Sequence, residues 1–204
     1  MVSDRGSPAD NIPDLYERHA RIWDESRGRT LFERAWMDRF MALVPPGGAI
    51  LDIGCGSGEP LARHLIASGY ALIGVDSSPT LIGMCRARFP DHDWLVADMR
   101  GLSLGRRFAG LLAWDSFFHL TPEDQRGMFE LFANHAAEGA ALMFTSGPAH
   151  GEAIGTFAGE PLYHGSLAPE EYRRLLGRHG FEIVAHVAED ASCGGHTIWL
   201  ARHG

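Results

Sequence analysis

Three glycines at alternate positions, Gly54, Gly56 and Gly58, follow the apolar run "AILDI" at 49–53, and Asp52 lies just before them. Glycine serves where a backbone must bend in ways a Cβ resists or must approach another group closely. A bare turn between a strand and a helix offers a ligand the helix's unpaired N–H groups and positive dipole end. Asp76 ends the next apolar run, 18 residues past Gly58, and Asp98-Met99 ends the one after. An acid at the first place can accept hydrogen bonds from both hydroxyls of a ribose. A carboxylate at the second can accept from an exocyclic amino group while methionine flanks a flat ring. The chemistry implied is a grip on a nucleoside.

Placing those residues together needs strands that end on one edge. Residues 49–53, 71–75 ("ALIGV"), 93–97 ("DWLVA"), 109–114 ("AGLLAW") and 140–145 ("AALMFT") read as buried strands. Helical patterns fall between them, over about 59–68 and 79–88. Thr121-Pro122-Glu123-Asp124 supplies a cap, a proline at the first helical position and acids against the dipole. Met128, Leu131, Phe132 and His135 continue that helix, and Tyr172, Leu175, Leu176 and His179 stripe another that opens at Pro169 and stops at Gly180. Residues 181–187 and 196–202 form a closing pair joined by "EDASCGG", too short a link for a crossover, so that pair is antiparallel. Continuous apolar strands alternating with helices predict an α/β Rossmann-like three-layer sandwich with a seven-stranded, mostly parallel sheet. Ahead of it, Leu15, His19, Ile22 and Trp23 share one helical face, and Phe32, Trp36, Phe40 and Leu43 another. The expected organisation is a disordered tail over 1–13, a helical cap over 14–44 ended by "VPPGG", and one domain to residue 204.

The chain's 204 residues suit one domain with one sizeable core, and 45% hydrophobic with 22% charged residues is an ordinary globular composition. No apolar stretch reaches the roughly 20 residues of a membrane span, and the polar N-terminus is no secretory signal. With 18 basic against 26 acidic residues the net charge is −8, which disfavours a nucleic-acid partner. Cys55, Cys85 and Cys193 make an odd count without a Cys-x-x-Cys pair, which fits a reducing cytoplasm. No metal site is expected: His-Glu-x-x-His is absent, and Cys193-x-x-His196 alone is a weak pattern.

Two ligand classes use such a glycine turn. A dinucleotide site wants Gly-x-Gly-x-x-Gly, but the sixth position is Glu59 counted from Gly54 and Leu61 counted from Gly56. Glu59 would also repel a pyrophosphate. A methyl-donor site needs no diphosphate pocket, and Gly-x-Gly-x-Gly suits it. At this point "LDIGCGSGEP", "GVDSS" with Pro79 after it, "LVADMRGL" and "LLAWDSFFHL" resemble the successive motifs of class I S-adenosylmethionine-dependent methyltransferases. The resemblance covers about residues 45–146 by motif and extends to 202 through the terminal strand pair. It implies sheet order 3-2-1-4-5-7-6 with the last strand antiparallel, and S-adenosylmethionine as cofactor. Carried over by position, Asp52, Gly54, Cys55, Gly56 and Gly58 belong to the turn around the methionine part. Asp76, with Ser77, holds the ribose, Asp98 and Met99 meet adenine, and Trp114 lies along the cofactor. Tyr16 is a looser match to a tyrosine that reaches the cofactor from a preceding helix. Structural alternatives stand beside these: a plain strand–helix turn, a helix cap in the run Asp76-Ser77-Ser78-Pro79, a turn begun by Asp98, core packing for Tyr16, Trp23 and Trp114, and a small buried filler at Cys55.

A methyl sulfonium needs no protein nucleophile, so the protein must align the acceptor and exclude water, with a base only where the acceptor loses a proton. Asp115 is the best-placed acid, and His119 is a candidate base with a structural alternative. The 22 residues 147–168, with five glycines and no period, read as an active-site loop on the ligand edge. His150, Tyr163 and His164 are its polar groups. Strand four lacks a following Asn/Asp-Pro-Pro-aromatic run, so a small-molecule acceptor is left by elimination. The alternatives are a non-catalytic sensor or scaffold that binds the donor, and a nicotinamide oxidoreductase, weakened at Glu59. Oligomeric state is open.

Overall fold

The computed structural model describes residues 7–204. Its main sheet holds seven strands: β1 (Ala49–Ile53), β2 (Ala71–Asp76), β3 (Asp93–Val96), β4 (Phe108–Ala113), β5 (Ala136–Ser146), β8 (Phe181–Asp190) and β9 (His196–His203). They lie in the order β3-β2-β1-β4-β5-β9-β8. The first five are parallel, and β9 is antiparallel to both β5 and β8. This is the expected order, with a separate hairpin, β6 (Gly151–Phe157) and β7 (Glu160–Ser166), inserted after β5.

Apolar residues on both strand faces require cover on both sides. Leu51 and Ile53 of β1 pack into a core with Phe117, Phe129, Phe144, Tyr172 and Trp199, under α6 (Pro122–His135) and α7 (Pro169–Arg178). Ile50 turns the other way, into a core with Phe40, Leu65, Ile82 and Trp94. That second layer is α3 (Arg34–Met41), α4 (Leu61–Ala67) and α5 (Pro79–Arg88). Thr121 caps α6 as expected, its Oγ1 accepting from Asp124 N–H at 3.1 Å. Ser78 does the same for α5 through Leu81 N–H. No helix among the described residues is long and apolar enough to cross a membrane.

Three expectations need correction. Residues 1–6 of the expected tail lie outside the described residues, but its remainder is ordered: a 3₁₀ turn over Pro8–Asn11 leads into α1 (Ile12–Arg18). Buried Ala9 and Ile12 pack with Leu15 and Tyr163, an apolar pair too sparse to show in a polar stretch. The first amphipathic stretch divides at His19 into α1 and α2 (Ala20–Arg27), and Ile22 and Phe32 are exposed rather than inward. The 147–168 segment is not irregular. β6 and β7 pair from Gly151↔Ser166 to Phe157↔Glu160 around Ala158-Gly159, both at positive φ, as a two-residue primed turn requires. Pro161 and the scattered glycines obscured its alternation, and a two-stranded ribbon tolerates proline because both strands are edges.

Candidate active site

Strand order reverses between β1 and β4, and the carboxyl ends of both strands meet the glycine turn there. Gly54 and Cys55 donate to the Val75 carbonyl at 2.7 and 3.0 Å, which pins the turn to the end of β2. Gly54 has φ +77°, and a Cβ there would stand 2.2 Å from Ser116 Cβ. Ser116 in turn donates to the Ile53 carbonyl at 2.6 Å, tying the end of β4 to β1. Asp76 closes the loop: its carboxylate accepts from Gly56 N–H and Ser78 N–H, each at 2.9 Å. It therefore holds the turn and leads into the α5 cap together. Burial pushes Asp76 above its usual range against these N–H bonds.

The cleft so formed is lined by Gly54, Gly56, Asp76, Ser77, Asp98, Met99, Asp115, His119 and Tyr16 of the expected residues. Asp52, Cys55, Gly58 and Trp114 are not on its wall. Asp52 is buried in β1, and burial, with the Asp76 charge, pushes it up to about 7. Cys55 turns toward Gly74 and shares the Gly56 carbonyl with Cys85. Gly58 lies against the Phe89 ring. Trp114 is buried in the core on the α3 side, stacked on His196 with ring centres 5.5 Å apart. The residues after it, Asp115 and Ser116, face the cleft. Asp98 is bound on both oxygens by the Arg100 guanidinium, which holds it below the usual carboxylate range.

Ile12, Pro13 and Tyr16 of α1 and Trp23 of α2 roof the cleft. Glu17 fastens this roof to the start of α5 by accepting from Ser78, Thr80 N–H (3.0 Å) and Thr80 Oγ1 (2.7 Å). Asp24 fastens it to the end of α5 through Arg88 at 2.6 Å. The β6–β7 hairpin adds Phe157, stacked on Tyr16 at 5.7 Å.

At the inner end, His119 Nδ1 donates to the Tyr163 carbonyl at 2.8 Å, so its Nε2 accepts from the Tyr16 hydroxyl at 2.8 Å. Burial pushes His119 down to about 4 and leaves it neutral near pH 7. Burial and the charges of Asp115 and Asp76 push Tyr16 up, so it stays a phenol. Beyond them lies a second cleft that shares Tyr16, Trp23, Asp115 and His119 with the first and adds Phe118, His164, Glu189 and His196. Asp115 sits at φ +49° and its N–H donates to Thr145 Oγ1 at 2.9 Å. His196 Nε2 lies 3.0 Å from the Asp115 carboxylate, which raises the imidazole. His164 stacks on Phe118 and is pushed down by burial. Tyr163 contributes only its carbonyl: its hydroxyl turns to Glu152 at 2.7 Å. His150 is exposed and lines neither cleft.

Sequence reasoning missed Arg100, Ser116 and the pairing of His196 with Asp115. Ser116 adjoins Asp115, but His196 lies 81 residues away and β9 alone brings it in.

A family model described as a methyltransferase domain matches residues 50–139. The chain is 36% identical over 93 residues to a dTDP-3-amino-3,6-dideoxy-alpha-D-glucopyranose N,N-dimethyltransferase from Streptomyces fradiae, covering 45% of this chain and 36% of that one. The match thus spans about a third of that relative's length. Among solved structures, magnesium protoporphyrin IX methyltransferase from Synechocystis PCC 6803 with bound S-adenosylmethionine superposes with TM-score 0.75 at 17% identity over 100% of both chains. An amino pentose methyltransferase from Micromonospora echinaspora superposes with TM-score 0.69 at 20% identity, over 93% of this chain and 97% of that one. These two likenesses establish the fold.

Proposed function

We propose, from the premise that this chain carries a methyltransferase domain of class I fold, that it transfers a methyl group from S-adenosylmethionine to a small-molecule acceptor. The single observation that carries this is a pair of clefts that share one wall. The first has a bare turn, a half-buried acid and an apolar flank, and Tyr16, Trp23, Asp115 and His119 line both it and the second. The residues fit the donor. Gly54 lets Ser116 pack against the turn, so bare backbone at Gly54 and Gly56 lines the cleft, and Asp76 presents a carboxylate where a ribose would lie. Met99, Leu81 and Ile12 give a flat ring apolar neighbours. Arg100, the one cation on this wall among the described residues, is engaged by Asp98 and by Asp10, which suits a nucleoside better than a diphosphate.

The donor supplies a methyl group on a sulfonium whose thioether is a good leaving group. The chain's own residues do the rest. Tyr16, Trp23 and Phe157 screen the junction from water. His119, neutral and held by the Tyr163 carbonyl, fixes the Tyr16 hydroxyl, so His119 orients rather than takes a proton. The Tyr16 oxygen and Asp115 carboxylate turn negative charge toward the junction, where a cation is favoured. Incubation with methyl-labelled donor and a metabolite extract tests the reading: label should enter small molecules in a protein-dependent manner. Donor binding with no label transferred to any metabolite would leave a binding protein instead.

A further inference from the structure

The charges of the second cleft select the kind of acceptor. Its wall carries Asp115 and Glu189 and, among the described residues, no arginine, and the chain contains no lysine at all. Its one cation is already engaged. His196 Nδ1 donates to the Cys193 carbonyl at 2.7 Å and Nε2 faces the Asp115 carboxylate at 3.0 Å. With acceptors at both ring nitrogens His196 is an imidazolium. His119 and His164 are neutral, and Tyr16, Trp23 and Phe118 supply aromatic faces. The Asp115 carboxylate offers about four lone-pair directions. His196 and a long 3.4 Å contact from Thr145 Oγ1 leave some of them for a guest. Aromatic faces beside an incompletely used carboxylate favour a cationic guest. A phosphate or carboxylate guest would meet two acids and no free cation.

Resting on the methyl-transfer reading above, we infer that the second cleft binds an amine acceptor, held as its ammonium by the Asp115 carboxylate, with Glu189 adding negative charge at the rim. His196 is a positioning residue: it fixes the carboxylate and does not reach the guest, since both its nitrogens are occupied. Methylation requires the nitrogen lone pair, so one ammonium proton passes to the Asp115 carboxylate. The N–H bond breaks, an O–H bond forms, and both groups end neutral. A neutral hydroxyl acceptor would gain a hydrogen bond to Asp115 but not the ion-pair attraction.

Cyclohexylamine, cyclohexanol and cyclohexanecarboxylate share a shape and differ in charge near neutral pH. Each is titrated by calorimetry and saturation-transfer NMR into the protein loaded with S-adenosylhomocysteine. The amine should bind about 10- to 100-fold tighter than the alcohol, the range a hydrogen bond to a charged group supports, with the carboxylate weakest. Asp115→Asn, an isostere that also tolerates positive φ, should erase the preference for amine over alcohol. Glu189→Gln should reduce it by a few-fold, and His196→Gln should shrink it without abolishing it. Alcohol or carboxylate binding as tightly as the amine, no amine binding, or an unchanged preference in Asp115→Asn would each overturn the inference. Failure of S-adenosylhomocysteine itself to bind is read beforehand and sinks the methyl-transfer reading instead. Titration into the unloaded protein then still decides the preference for amine.

Discussion

Gly54→Ala isolates what the glycine turn contributes. At φ +77° a Cβ costs about 1–2 kcal/mol in left-handed strain alone. That Cβ would also stand 2.2 Å from Ser116 Cβ and 2.7 Å from Ser116 Oγ, so Ser116 must move. Its hydrogen bond to the Ile53 carbonyl would go with it. Overpacking of this kind adds about 1–3 kcal/mol, for a sum of roughly 2–5 kcal/mol. Gly69→Ala is the matched control: φ is +87° but nothing lies within 4 Å of the added Cβ, so only the strain of about 1–2 kcal/mol applies. Urea unfolding of both variants gives the two losses, and calorimetry with S-adenosylhomocysteine gives the affinities. Gly54→Ala should lose more stability than Gly69→Ala, and it alone should lose binding. Equal destabilisation, or full affinity in Gly54→Ala, would refute the argument that the bare backbone at Gly54 shapes the cleft.

Other substitutions probe the acid, the roof and the buried imidazole. Asp76→Asn removes the charge offered to a ribose and should weaken S-adenosylhomocysteine binding by about 10- to 100-fold in calorimetry. Glu17→Ala cuts the roof from Ser78 and Thr80, and should speed dissociation of the bound nucleoside in stopped-flow while costing about 1 kcal/mol of stability. His119 has a folded pKa of about 4 against an ordinary 6.5, so below pH 6.5 the unfolded chain takes up a proton that the folded one refuses. Stability then falls as pH drops from 6.5 toward 4, by up to about 3 kcal/mol from this group. His119→Asn should lack that share of the slope when urea midpoints are compared across the interval.

The sheet was legible because buried parallel strands declare themselves as continuous apolar runs and each link carried its own punctuation, such as Thr121-Pro122. One wall of the first cleft was legible for the same reason: Gly54, Gly56, Asp76, Asp98 and Met99, which line it, stand at or just past strand ends, where topology fixes their edge. Less visible was what depends on side-chain direction. Trp114, just past β4, points into the core, while one residue further Asp115 faces the cleft, where the chain turns through a positive φ that no strand pattern announces. The hairpin hid behind Pro161 and five glycines. His196 was seen only as a loose metal pattern, because its partner Asp115 lies 81 residues away in the turn after β4 and no local periodicity links them. Tyr163 illustrates the limit differently, since its carbonyl and not its phenol reaches His119.

The most direct measurement is calorimetric titration of the purified protein with S-adenosylhomocysteine and, in parallel, with NAD. One-to-one binding of S-adenosylhomocysteine with no heat from NAD is the expected result. Binding of NAD in its place, or heat from neither ligand, would contradict the assignment of the cleft between β1 and β4 to a methyl donor.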